Sequence, residues 1–130
     1  MVKRRGVTRE QVEEIALEYP GVAAYAGASA GRLDLRLGKK HLAFDSREPG
    51  ALCLRPVYED EQRFLMETSP DVFFLTDHYR GWNCILIRKA KVDRRQLAEL
   101  IDGAWRRLAL KRVVAEYDAR RQAPGRTTRT

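Results

Sequence analysis

The sequence predicts a two-layer α+β domain of order α-β-β-β-α-β-β-α, with an antiparallel sheet and helices packed on one face. Three patterns lead to it. Leu33, Leu35 and Leu37 alternate with Arg32, Asp34 and Arg36, the period-two signature of a half-buried strand. Val12, Ile15, Ala16 and Tyr19 recur at helical spacing, with Glu10, Glu13, Glu14 and Glu18 between them. Leu97, Ile101, Ala104, Leu108 and Ala115 form a longer helical stripe near the end of the chain, widened by Trp105, Val113 and Tyr117.

Residues 1–7 are a short basic lead. Thr8 is placed to cap the first helix, with Gln11 as its partner in a capping box, and Pro20-Gly21 ends that helix. Residues 22–31 are small and read as a loop with room for a short strand. RLDLRL follows as a strand, Gly38-Lys39 makes a hairpin turn, and KHLAFD returns with Leu42 and Phe44 inward. SREPG is a second turn and ALCLRPV a third strand, which completes an antiparallel meander. Tyr58–Ser69 is a second helix. Its opening acids, Glu59, Asp60 and Glu61, suit the positive end of the helix dipole, and Phe64 and Leu65 give it an apolar stripe.

Asp71–Thr76 is a short strand, Tyr79-Arg80-Gly81 a turn, and WNCILIR a strand apolar on both faces in its middle, as a covered strand requires. Asp93 is placed to cap the last helix, with Gln96 three residues on, and the helix is expected to run unbroken to Arg120. Gly103 in its interior costs about 1 kcal/mol relative to Ala, which implies close packing against the sheet. Residues 1–120 are expected to form one domain, and residues 121–130 a disordered basic tail with nothing to bury.

The totals fit this outline. A chain of 130 residues makes one domain and buries roughly two-thirds of its unfolded surface. Charged residues are 33% and the net charge is +7, with a pI near 9.8, a balance that favours polyanions or acidic membrane surfaces as partners. Cys53 and Cys84 are too few for a disulfide framework. No apolar run follows the basic N-terminus, and no stretch approaches the ~18 apolar residues of a membrane span. A cytoplasmic protein with two reduced thiols and no membrane contact is expected.

The element order, together with HYRGWNCILIRKAKVD and AWRRLALKRVVAEYD, resembles the MmcQ/YjbR family over most of residues 8–118. The Tyr19-Pro20-Gly21-Val22 helix ending, the strand–Gly-Lys–strand hairpin, the acidic second helix and Tyr79-Arg80-Gly81-Trp82 all fall where that family has them. The resemblance implies a small α+β domain of secretion-chaperone-like architecture, described as a double-wing DNA-binding protein whose wings are β-hairpins. This chain departs from the family pattern twice. AAYAGASAG stands where an aromatic, His-bearing segment is common, and Leu110 stands where the last helix often has Pro, so a straighter last helix is expected.

Positive charge is segregated along the chain. Residues 1–19 are neutral, residues 20–57 carry +3, residues 58–79 carry −5 and residues 80–130 carry +9. Two clusters are candidates for phosphate contact. One is the hairpin and the turn after it: Arg32, Arg36, Lys39, Lys40 and Arg47. The other surrounds the start of the last helix: Arg80, Arg88, Lys89, Lys91, Arg94 and Arg95. Cations there run against the helix dipole and hint at an external anion. The DNA-binding reading leans on folding to gather the hairpin cations and those at the head of the last helix on a common side; it fails if they point in opposite directions, each neutralised by a neighbouring carboxylate. Arg106, Arg107, Lys111, Arg112, Arg120 and Arg121 suit the helix C-terminus and have carboxylates at pairing distance, so they read as structural.

Trp82 and Trp105 are expected in the core, whereas Tyr79 with Arg80 sits in a turn where stacking and phosphate contact can combine. His41, His78, Cys53 and Cys84 lack CxxC or paired-His spacing, so no metal site, cofactor or catalytic residue is expected. The leading expectation is a non-enzymatic DNA-binding protein. The alternative is a protein-interaction module that uses an exposed sheet face or the acidic helix at 58–69. A small-ligand site between the sheet and the last helix comes third.

Overall fold

A computed structural model describes residues 5–25 and 31–122. From residue 123 on, the expected tail lies outside the described residues. The chain runs as helix α1 (Arg9–Leu17), strands β1 (Val22–Ala24), β2 (Asp34–Leu37), β3 (Lys40–Asp45) and β4 (Ala51–Leu54), helix α2 (Glu59–Thr68), strand β5 (Phe73–Phe74), a 3-10 turn (Asp77–Tyr79), strand β6 (Ile85–Arg88), and helices α3 (Arg94–Leu108) and α4 (Lys111–Arg121). All six strands join one antiparallel sheet in the order β1-β2-β3-β4-β6-β5.

Local chemistry accounts for the ends of the elements. Thr8 and Gln11 make the expected capping box: the Gln11 N–H donates to Thr8 Oγ1 at 3.1 Å, and the Thr8 N–H to Gln11 Oε1 at 2.9 Å. Leu37 pairs with Lys40 across a two-residue turn, and Gly38 takes φ +63°, which a side chain would resist. β1 is the short strand for which residues 22–31 leave room. Val22 and Ala24 pair with Leu37 and Leu35, so the edge of β2 supplies what the small residues do not.

The sheet is covered on both sides. Inward, Leu35, Leu42, Leu52, Leu54, Ile85, Ile87 and Phe73 meet α1, α2 and α3 through Val12, Ile15, Leu65, Leu97 and Ile101. Outward, Ala51, Cys53 and Leu86 pack against Tyr79 and Cys84, with Phe44, Phe74 and Leu75 at the margin. Both cysteines are buried free thiols. Cys53 is pushed well up, first by its hydrogen bond to Cys84 and then by burial.

The last helix differs from expectation in three ways. It is two helices: Ala109 and Leu110 are extended, with ψ of 152° and 145°. Side chains across the break hold the second helix back against the first. Arg106 donates to both Asp118 oxygens, at 2.8 and 2.9 Å, while also pairing with Asp102 at 2.8 Å. Residues twelve apart on a straight helix would be about 18 Å apart. Tyr117 also packs at 5.0 Å from Trp105 and 5.3 Å from Tyr19, and Trp105 Nε1 donates to the Pro20 carbonyl. Leu110, 64% exposed, sits at the hinge and does no capping.

The second difference is at Asp93. It occupies the N-cap position of α3, but its side chain makes no capping hydrogen bond. The third is at Gly103. A methyl group there would meet nothing closer than the Arg107 guanidinium at 3.9 Å, so close packing does not explain this glycine.

Two predictions follow from this helical layer. Gly103→Ala should stabilise the protein by about 0.5–1 kcal/mol in chemical denaturation, because the methyl meets only ordinary contact and the helix backbone loses less entropy. Arg106 holds the Asp118 carboxyl below its ordinary range. A depressed carboxylate stabilises the fold above its unfolded value of about 3.9, and that stabilisation disappears as pH falls through the folded value. Asp118→Asn should therefore melt below the wild type at neutral pH, and the gap should close in melts run below the ordinary aspartate range.

Candidate nucleic-acid interface

Strand alternation builds a row across the outer face of the sheet, away from the helices. Asp34 lies opposite Phe44, Phe44 opposite Cys53, Cys53 opposite Leu86, and Leu86 opposite Phe74. The segment around the 3-10 turn covers part of this row. Its Tyr79 is buried, and the Tyr79 hydroxyl accepts a hydrogen bond from the Arg47 backbone N–H at 2.9 Å. Arg47 Nη1 also lies 2.9 Å from His78 Nδ1, so the β3–β4 turn is tied to the covering segment twice.

A concavity of about 560 Å³ opens beside this junction. Phe44, Tyr79 and Trp82 supply its apolar surface; Arg32, Arg47, Arg55, His41 and His78 supply its polar surface. Asp45 also lines it, but this carboxylate is engaged by Lys89 at 3.2 Å and by the Leu33 N–H at 2.9 Å. Arg32, Arg47 and Arg55 make no ion pair with a described carboxylate. Trp82 stands at the rim, 41% exposed, against Tyr79 at 5.5 Å and His78 at 5.6 Å, with the Arg55 guanidinium 5.6 Å from its ring. The buried Gln62 of α2 fixes this rim from behind: its amide nitrogen reaches the carbonyls of Val57, Trp82 and Cys84 at 2.9–3.0 Å.

The expected cation clusters do not stay together: Arg88 of the second cluster shares the outer face with the concavity, whereas Arg94 and Arg95 lie across the sheet from it. Arg32 and Arg47 line the concavity. Arg36 is bound to Asp34 at 2.8 Å and stacked on Tyr25 at 4.4 Å; the hydrogen bond from Arg36 holds the Asp34 carboxyl low. Lys39 and Lys40 are exposed at the hairpin tip, and Lys40 leans toward an apolar groove beside the α3–α4 hinge with Leu37, Leu108 and Leu110. Arg80 pairs with Asp77 at 2.9 Å, and Arg88 lies over the Phe74 ring at 3.9 Å. Lys89 is held by Asp45, and Lys91 is exposed. Arg94 and Arg95 open α3 in the helical layer, across the sheet from the concavity, and Arg94 pairs with Glu14 of α1 at 3.4 Å.

The aromatic expectations divide. Trp105 is fully buried, as expected. Trp82 is exposed rather than in the core, because it precedes β6 and the sheet ends before it; Tyr79, read as the accessible turn residue, is the one that packs inward. Arg55 was not singled out by charge clustering. Its signal was alternation, since it lies two residues beyond the outward-facing Cys53. His41 and His78 stand apart in sequence and come to line one concavity only through the fold.

Three curated relatives are each 38% identical over 53 residues, a stretch amounting to 41% of this chain and 41% of each relative. They are Uncharacterized protein Mb2600 of Mycobacterium bovis and Uncharacterized proteins MT2646 and Rv2570 of Mycobacterium tuberculosis. No solved structure matches the chain significantly. The YjbR family model matches residues 17–107, from the end of α1 through the whole sheet to the last turn of α3, and the chain belongs to the YjbR family.

Proposed function

We propose that this protein binds DNA without catalysing a reaction, through phosphate contacts made on the outer face of the sheet. The observation that carries the reading is the set of three guanidiniums, Arg32, Arg47 and Arg55, around one concavity with no ion-pair partner among the described carboxylates. Cations already held by Asp34, Asp77 or Glu14 offer less to a phosphate, because a new contact must first break the old one. The net charge of +7 adds a sequence-independent attraction to any polyanion. Specificity would be modest, since α3 packs against the sheet and presents no helix for groove reading.

Residence in the cytoplasm belongs to the same proposal. It is supported by two buried free thiols, and no helix among the described residues is long and apolar enough to cross a membrane. A protein-binding role has one observation in its favour: Phe64 and Tyr58 are 62% and 50% exposed beside the acids of α2. It would replace the DNA reading if no nucleic acid binds at low salt.

Anisotropy titration of a fluorescent duplex at several salt concentrations tests the reading. Affinity should fall log-linearly with salt, and Arg47→Ala with Arg55→Ala should lower that slope by about 1–2. Arg94→Ala with Arg95→Ala, on the helical side, should leave the slope unchanged. An unchanged slope in the first pair and a lowered one in the second would move the interface to the head of α3.

A further inference from the structure

We propose that the concavity takes an unpaired nucleotide of a single strand, with its base stacked on Trp82 and the flanking phosphates on Arg47, Arg55 and Arg32. The inference deepens the phosphate-binding reading and rests on it. Trp82 is what a phosphate-only site does not need. Trp82 is 41% exposed in a molecule that buries its other tryptophan completely, and its Nε1 has no hydrogen-bond partner among the described residues. A large aromatic left open at the rim of a basic concavity is a platform for a π-face.

In a duplex, base faces are covered by their neighbours, and only base edges and phosphates are offered. An exposed indole therefore has little to stack on until a base is unpaired. The surroundings fit such a base. The concavity of about 560 Å³ lies within the roughly 300–1,000 Å³ range of small-molecule sites. Trp82 is braced from behind by Tyr79, whose ring meets it edge-on at an interplanar angle of 75°, and its backbone carbonyl is pinned by Gln62. Arg55 sits 5.6 Å from the ring centroid, near the outer limit for a cation–π contact, so it can turn to a phosphate at small cost.

Three guanidiniums around one base platform suit successive phosphates of a strand better than the single phosphate of a mononucleotide. A free nucleoside triphosphate shares this chemistry, and one arm of the test separates the two sources.

The experiment titrates the full chain at low salt with a 12-residue oligo-dT, a duplex of equal length and dTTP. The readouts are anisotropy of labelled strands and quenching of tryptophan fluorescence, with buried Trp105 as the constant background. The strand should bind about tenfold or more tighter than the duplex. Trp82→Ala should weaken the strand by about 5- to 150-fold, the range for loss of one stacking residue, and leave the duplex unchanged. Trp82→Phe should recover most of that loss, and melts of both variants report folding independently.

Equal affinity for strand and duplex, with neither moved by Trp82→Ala, would overturn the stacking site and leave the phosphate reading standing. No binding of either would overturn both. Binding of dTTP as tight as the strand would overturn the strand claim in favour of a free-nucleotide site.

Discussion

The pairing of β4 with β6 is the constraint on which the rest depends. Leu52 faces Ile87 and Leu54 faces Ile85 on one side, while Cys53 faces Leu86 on the other. Every one of these side chains is fully buried. A strand pair buried on both faces needs a cover on each, and the chain supplies two different ones. Helices α1, α2 and α3 close one side; on the other, an irregular segment pinned by Tyr79 closes only part. The incomplete cover creates the concavity. Slipping the register by one residue would exchange the two rows and bring Cys53 and Leu86 to the helices, so this pairing also decides which residues can meet a ligand.

Much of this was legible in the chain. The capping box at Thr8 and Gln11, the Gly38 turn, the three-strand meander and the doubly apolar β6 are local signals, and local physics decides them. Three features were not, and each depends on distant partners. The sequence leaves β1 open as a short strand within a loop, and it is the edge of β2 that settles its pairing. The break at Ala109-Leu110 has neither Gly nor Pro to mark it; the Arg106–Asp118 bridge and the Tyr19–Trp105–Tyr117 cluster hold it. The exposure of Trp82 follows from β6 beginning at Ile85, a boundary of three residues that composition does not set.

Charge clustering in sequence identified two of the three guanidiniums around the concavity. It found Arg32 and Arg47, yet it grouped Arg94 and Arg95 with them, although the sheet lies between. It could not weigh neutralisation: Arg36, Arg80, Lys89 and Arg94 each have a carboxylate within 3.4 Å. The concavity combines residues from the β2 approach, β3, the β3–β4 turn, the end of β4 and the segment before β6. Counting cations along the chain misses such a site, whereas tracing which side of the sheet each residue occupies recovers most of it, Arg55 included.

The central claim is that nucleic acid meets the outer face of the sheet and not the helical layer. Backbone amide chemical shifts of the ¹⁵N-labelled protein, followed during titration with an unlabelled oligonucleotide, test it most directly. The account predicts perturbations concentrated at Arg47, Arg55, His78 and Trp82, with Glu14, Arg94 and Arg95 unmoved. Perturbations gathered at the α1–α3 junction, with the concavity silent, would contradict it.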